Sequence, residues 1–135
     1  MTISISVVSH GQMALILNLM QDLQIFCSDR PFSLILTLNI PEDIEFDPRN
    51  YSYPIQVIKN TSPKGFGFNH NQAFNSTEDR YFCVVNPDIR LTNCPLSALI
   101  GCLRDKSIGV VAPVVLGPSG DLEDSARQTM HFRAI

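Results

Sequence analysis

Tyr81-Phe82-Cys83-Val84-Val85-Asn86-Pro87-Asp88 is the stretch on which the fold of this chain turns. Its first five residues are, with one exception, aromatic or β-branched, the composition of a strand covered on both faces. Pro87 ends that strand, because it has no N–H for a ladder and steers Asn86 away from the helical region. Asp88 is left at the strand's carboxyl end with its side chain outside the core. In an open α/β sheet that end is where ligands bind, in the crevice where the strand order reverses. A single carboxylate there suits a hard divalent cation that bridges nucleotide phosphates. Asn, Pro and Asp are also turn formers, so on the triplet alone an ordinary turn is the simpler reading.

Upstream of this stretch, Ile3 to Val8 alternates and then runs apolar, as a first strand does, and Ser9-His10-Gly11 breaks it. Met13, Ile16, Leu17, Met20 and Leu23 follow at helical spacing, with Gln12, Gln21 and Asp22 off that face. Ser33–Leu38 predicts a second strand, and a polar, proline-bearing loop from Glu42 to Pro54 leads to a short third strand, Ile55–Ile58. Thr61 to Gly65 is a turn, and a short helix is predicted to begin near Phe68. Downstream, Thr92 or Asn93 caps the next helix with Pro95 in its first turn, and Leu96, Leu99, Ile100 and Leu103 share one face. Gly109–Leu116 is expected as a fifth strand, bulged or edge-placed at Pro113. Gly117-Pro118-Ser119-Gly120 turns, and Asp121 to Ile135 is polar with weak helical character.

Strand alternating with helix predicts an α/β fold with a doubly wound, mostly parallel sheet. Right-handed crossovers give the order three-two-one-four, so strands one and four are neighbours and the direction of winding reverses between them. Ser9 and Asn39 then line the same crevice as Asp88, and that convergence raises Asp88 above a turn residue.

The 135 residues are expected to form a single domain with a real hydrophobic core. A 44% hydrophobic and 17% charged composition is that of an ordinary globular protein. Net charge is −3 and the isoelectric point about 5.5, against broad binding to nucleic acid or anionic membranes. Cys27, Cys83, Cys94 and Cys102 have no C-x-x-C spacing and read as free thiols of a reducing cytosol. His10, His70 and His131 are isolated in sequence, so no metal cluster is visible. The first residues lack a signal peptide's basic start, and no apolar run approaches the ~18 residues of a membrane span.

Lys64-Gly65-Phe66-Gly67-Phe68 matches the opening of the RNA-recognition signature, whose strand aromatics stack bases. Asn69 and Asn71 then fall where an aliphatic and an aromatic are needed, and Leu36 stands where the companion strand needs its aromatic. With the acidic balance, the RNA-binding reading is the weakest. No G-K-[ST] follows the glycines, so this is not a Walker loop. The plain expectation is a tight turn in which Gly65 or Gly67 takes positive φ; the functional one is a glycine-bearing turn into a short helix that touches a nucleotide. Ser9-His10 has no nucleophile elbow around it, which argues against a hydrolase triad.

Taken together, Val8-Ser9, Gly65-Phe66-Gly67 with Asn71, and Val85-Asn86-Pro87-Asp88 resemble the inverting family-two glycosyltransferases of GT-A fold, in particular the bacterial rhamnosyltransferase-like branch. That branch's pattern runs N-x-G-F-G, then N, then L-N-P-D. Gly120 with Asp124-Ser125-Ala126-Arg127 is similar to its segment after the fifth strand, so the resemblance spans Ile3 to about Phe132. It implies that Ser9 and Asn39 lie near the base or ribose, and that Gly65, Gly67, Asn71 and Asn86 help form the nucleotide-sugar pocket. It further implies that Asp88, as the last carboxylate of a D-x-D-like motif, holds magnesium or manganese on the diphosphate of a UDP- or dTDP-linked donor. The cation neutralises charge on the leaving nucleoside diphosphate.

The pattern is departed from at Leu38, where the family often has a base-reading aspartate, at Pro41 in place of serine, and at Pro63 in place of asparagine. Family members continue for roughly another hundred residues, about a domain's worth, carrying the acceptor site and the general base. The expectation is therefore the donor-binding half of a glycosyltransferase, the acceptor half being absent by natural truncation or because the chain is a fragment. Its implied setting is polysaccharide biosynthesis in the cytoplasm or peripherally at the inner membrane, with the acceptor unknown. A degenerate, non-catalytic relative kept for protein interaction is the alternative. A missing half also predicts exposed apolar surface along Val110 to Leu116, and hence a homo-oligomer.

Overall fold

The computed structural model describes residues 3–123. The chain divides into two compact units, one running up to Cys94 and the other starting at Pro95. In the first unit the strands are β1 (Ile3–Ser9), β2 (Ser33–Leu38), β3 (Ile55–Lys59) and β4 (Tyr81–Val85), with helices α1 (Met13–Phe26) and α2 (Phe66–Phe74) and a 3-10 turn at Pro48–Asn50. The four strands form one all-parallel sheet in the order β3-β2-β1-β4. This is the α/β arrangement and the strand order that the alternation of patterns predicts. β1 is central, pairing Ser4 with Ser33 through Ser9 with Leu38 on one side and Ile3 with Tyr81 through Val7 with Val85 on the other.

Right-handed crossovers put α1, which joins β1 to β2, and α2, which joins β3 to β4, on opposite faces of the sheet. On β1 the side chains alternate between the two. Ile3, Ile5 and Val7 are buried on one face; Ser4 and Ser6 point to the other, where Ser6 meets His70 of α2. Both serines are wholly buried, so the Ile-Ser-Ile-Ser alternation marks an internal polar seam and not a solvent-facing strand. Burial requires partners for the hydroxyls. Ser4 Oγ donates to Asp79 Oδ2 at 2.7 Å and lies 2.8 Å from Thr77 Oγ1 and 3.3 Å from Ser33 Oγ.

α1 buries Met13, Ile16, Leu19, Met20 and Leu23. Leu19 takes the place expected for Leu17, which is only half-buried, and Asp22 is buried in the same helix. Asp22 is tolerated there because Arg90 and the Leu91 amide satisfy its carboxylate. Gly11, with φ +74°, makes the turn from β1 into α1, a left-handed conformation that glycine adopts without strain. Tyr53 ties the loop before β3 to α1, its hydroxyl donating to the Met20 carbonyl at 2.8 Å. α2 starts at Phe66, two residues before the expected Phe68.

In the second unit, α3 (Leu96–Cys102) is flanked by Pro95, whose φ of −82° is already helical, and no side chain caps it; neither Thr92 nor Asn93 does so. The expected fifth strand is absent. Gly109–Leu116 takes no strand conformation, and Leu116 makes only an isolated antiparallel bridge to Leu122. Pro113 removes a ladder donor from the middle of the segment, and an apolar run alone does not supply an edge to pair with. The Gly117–Gly120 turn forms as expected: Gly117 N–H donates to the Asp121 carbonyl at 2.8 Å, and Gly120 has φ +84°. The segment Asp124-Ser125-Ala126-Arg127 and the weakly helical tail to Ile135 lie outside the described residues.

Candidate functional site

A crevice of about 320 Å³ opens at the carboxyl ends of β1 and β4, where the strand order reverses. It is built in three parts, each fixed by a different polar device.

The first is a clasp of three asparagines. Asn39 stands just beyond β2, its backbone N–H bound to the Ser9 carbonyl at 2.9 Å. Its side-chain Oδ1 accepts from Lys64 N–H (2.8 Å), Asn60 Nδ2 (2.9 Å) and Asn69 Nδ2 (3.0 Å). Its Nδ2 donates to the Lys64 carbonyl and to His10 Nδ1, both at 3.1 Å. Asn69 Oδ1 in turn accepts from Asn60 at 2.7 Å. One amide thus grips both backbone groups of Lys64 and fixes the turn into α2. Asn39 lines the crevice, yet its hydrogen-bonding capacity is already used internally.

The second part is His70. It is 5% exposed and lines the crevice from α2. Its Nδ1 lies 2.8 Å from Ser6 Oγ, and its Nε2 has no hydrogen-bond partner among the described residues. Burial pushes the imidazole pKa down, favouring the neutral ring. Phe66, one turn earlier, packs edge-on against it with ring centroids 4.4 Å apart.

The third part is the loop after β4. The Ile89 amide donates to the Asn86 carbonyl at 3.3 Å, closing the turn that Asn-Pro-Asp initiates. Arg90 then clamps Asp22 with two bonds, Nε to Oδ2 at 2.7 Å and Nη2 to Oδ1 at 2.9 Å, while Leu91 N–H adds a third at 2.9 Å. Hydrogen bonding from Arg90 holds the Asp22 carboxyl below its ordinary value. Asp88 sits between these anchors, exposed, at the crevice, with neither a hydrogen bond nor an ion pair among the described residues.

Asn39, Asn86 and Asp88 of the expected site residues thus come together at the crevice. The others do not line it. Ser9 is fully buried; its Oγ accepts from Gln12 N–H at 3.1 Å and supports the start of α1. Gly65 flanks α2 with φ −67° and Gly67 lies within the helix; neither has positive φ, so the expected left-handed turn is not formed. Asn71 is exposed and lines a separate depression of about 280 Å³ beside Phe68 and Asn75. Residues adjacent on a helix are turned by about 100° from each other, so with His70 inward Asn71 faces elsewhere. Phe66 and Phe68, which the RNA signature would need on a strand, are helical.

His70, Asn60 and Asn69 are not singled out by sequence reasoning as site residues. The available signal was the density of asparagines around the Gly65–Gly67 turn, which a turn reading absorbs without residue. Among the described residues, no three His, Cys, Asp or Glu side chains gather as a metal site, and no helix is long and apolar enough to cross a membrane. The four cysteines are unpaired as disulfides. Compared with models of protein families, with curated proteins and with solved structures, the chain matches none.

Proposed function

We propose that this chain is a glycosyltransferase-like domain whose crevice binds a nucleoside-diphosphate sugar, UDP- or dTDP-linked, with Asp88 assisting through magnesium or manganese. The observation that supports it most is Asp88 itself. A carboxylate without a partner among the described residues stands at the strand-order reversal of a parallel sheet, on a loop that Arg90 and Asp22 hold in place. Lys64 lines the same crevice; its ammonium rests over the Phe68 ring, 5.7 Å from the centroid, and would swing from there to meet a diphosphate.

The residues fit the cation in one way only. One carboxylate is too few ligands for a standing metal site, while magnesium and manganese complete their oxygen shells with substrate phosphates and water. Asp88 would hold such an ion jointly with the diphosphate, and the ion would supply charge neutralisation at the leaving group. The acceptor, and any transfer this chain performs, belong to the same proposal, as does a place in cytoplasmic polysaccharide biosynthesis.

Calorimetry with UDP and dTDP, with and without manganese, tests this reading. Each partner is expected to bind weakly alone and cooperatively together. Asp88→Asn is expected to abolish the manganese-dependent part of nucleotide binding and leave the thermal midpoint unchanged. Equal affinity in parent and variant would return Asp88 to the role of a turn residue.

A further inference from the structure

The clasp and the Arg90–Asp22 clamp satisfy their own polar groups. His70 is different: the residue lines the crevice, and its Nε2 is a buried polar atom with no hydrogen-bond partner among the described residues. Such groups are rare, because each costs its desolvation unless a partner arrives.

Which proton Nε2 carries follows from Ser6. Ser6 Oγ is fully buried, and among the described residues its one hydrogen bond is to His70 Nδ1. If Nδ1–H donated to Ser6, the serine proton and the Nε2 lone pair would both be orphaned. If Ser6 O–H donates to Nδ1, the serine proton is satisfied and the imidazole proton sits on Nε2. The second arrangement leaves fewer valences unmet, and it makes Nε2 an N–H donor in need of an acceptor. The Phe66 ring beside it is 60% exposed, so it can turn about its side-chain bonds and offer a face to a planar group.

Resting on the nucleotide-donor reading above, we infer that His70 selects the base: Nε2–H donates to a ring carbonyl oxygen, as uracil and thymine carry, while the base stacks on Phe66. Adenine has no carbonyl, its acceptors being in-ring nitrogens of a larger purine set at other distances from the ribose, and it is disfavoured at this wall. Ser6 is a positioning residue, holding the imidazole in the donating tautomer from the central strand.

The test is titration of UDP, ADP and inorganic pyrophosphate, each with manganese, into the whole chain and into His70→Phe, whose fold is checked by circular dichroism. The parent is expected to prefer UDP over ADP by about tenfold, a ratio of the size one buried hydrogen bond gives. In His70→Phe that preference falls to within about twofold while pyrophosphate affinity is unchanged. Nitrogen-15 NMR of the parent's imidazoles needs no variant: Nε2 of His70 is expected to be protonated in the neutral ring and to shift with UDP but not with pyrophosphate. A preference that survives in His70→Phe, an equal loss of UDP and pyrophosphate binding, or an Nε2 signal indifferent to UDP would each overturn the assignment. A parent that binds neither nucleotide nor pyrophosphate would remove the donor reading itself, and the base selection with it.

Discussion

At the scale of single residues, the crevice depends on amides and charges that are used up by the protein. Asn39 makes five side-chain hydrogen bonds, so Asn39→Ala leaves Asn60, Asn69 and the Lys64 backbone short of partners. The expected cost is about 2–3 kcal/mol by urea denaturation, at the upper end for one buried polar deletion because several groups are orphaned together. Asp22 and His70 give the fold a pH signature of known sign. Both have folded pKa values below their unfolded ones, so each contributes stability that is present above its ordinary pKa and lost as pH falls. The His70 contribution declines first, below its ordinary value of 6.5, and the Asp22 contribution below 3.8. Denaturation midpoints are therefore expected to fall from pH 7.5 to 5.5 in the parent and to a lesser degree in His70→Phe. The gap between parent and Asp22→Asn should close only below about pH 4. A gap independent of pH down to 2 would show that the carboxylate charge is not what Arg90 holds.

Element by element, the sequence was legible where a pattern is local. Pro87, the β-branched run before it and the helix-strand alternation were enough for four strands in the observed order. The serines of β1 left their surroundings open, because alternation looks alike whether the polar face meets water or a helix that carries its own polar partners. The asparagine clasp was hidden for another reason: Asn39, Asn60 and Asn69 lie 9 to 30 residues apart and meet only after β2, β3 and α2 have formed. Gly67 of α2 shows how a turn residue and a helix residue can be confused. Gly67 is helical, and a Cβ built on it meets nothing within 4 Å. Gly67→Ala is thus expected to stabilise by about 0.5–1 kcal/mol, where a left-handed turn would have demanded the opposite sign. Chemical denaturation of this one variant decides between the two.

For the molecule as a whole, the apolar residues that the expected fifth strand would have buried stay at the surface. In the second unit Val110 is 88% exposed, Val114 71% and Leu116 59%, and Leu122, beyond that stretch, is 75% exposed. Contiguous exposed aliphatic surface is costly in water and usually finds a partner. The proposal is self-association at micromolar concentration. Light scattering is expected to give a mass above that of the 15.0 kDa chain, and Val110→Asp with Leu122→Asp to return it to that of a single chain. A clean monomer of the parent across that range would contradict it, and would leave the interaction-domain alternative without its best support.

The central place of β1 also sets a timetable for synthesis. Its partner β2 follows within 40 residues, but β4 and the helix that covers its serine face are made only after β3. At roughly 5–20 residues per second, the ribosome needs several seconds to deliver them. Throughout that interval the nascent chain displays one unpaired edge of its innermost strand, and the Ser6 hydroxyl lacks His70 until α2 is made. Aggregation hazard therefore peaks during translation, before Tyr81 leaves the exit tunnel, and a chaperone acting on this chain has its work to do there.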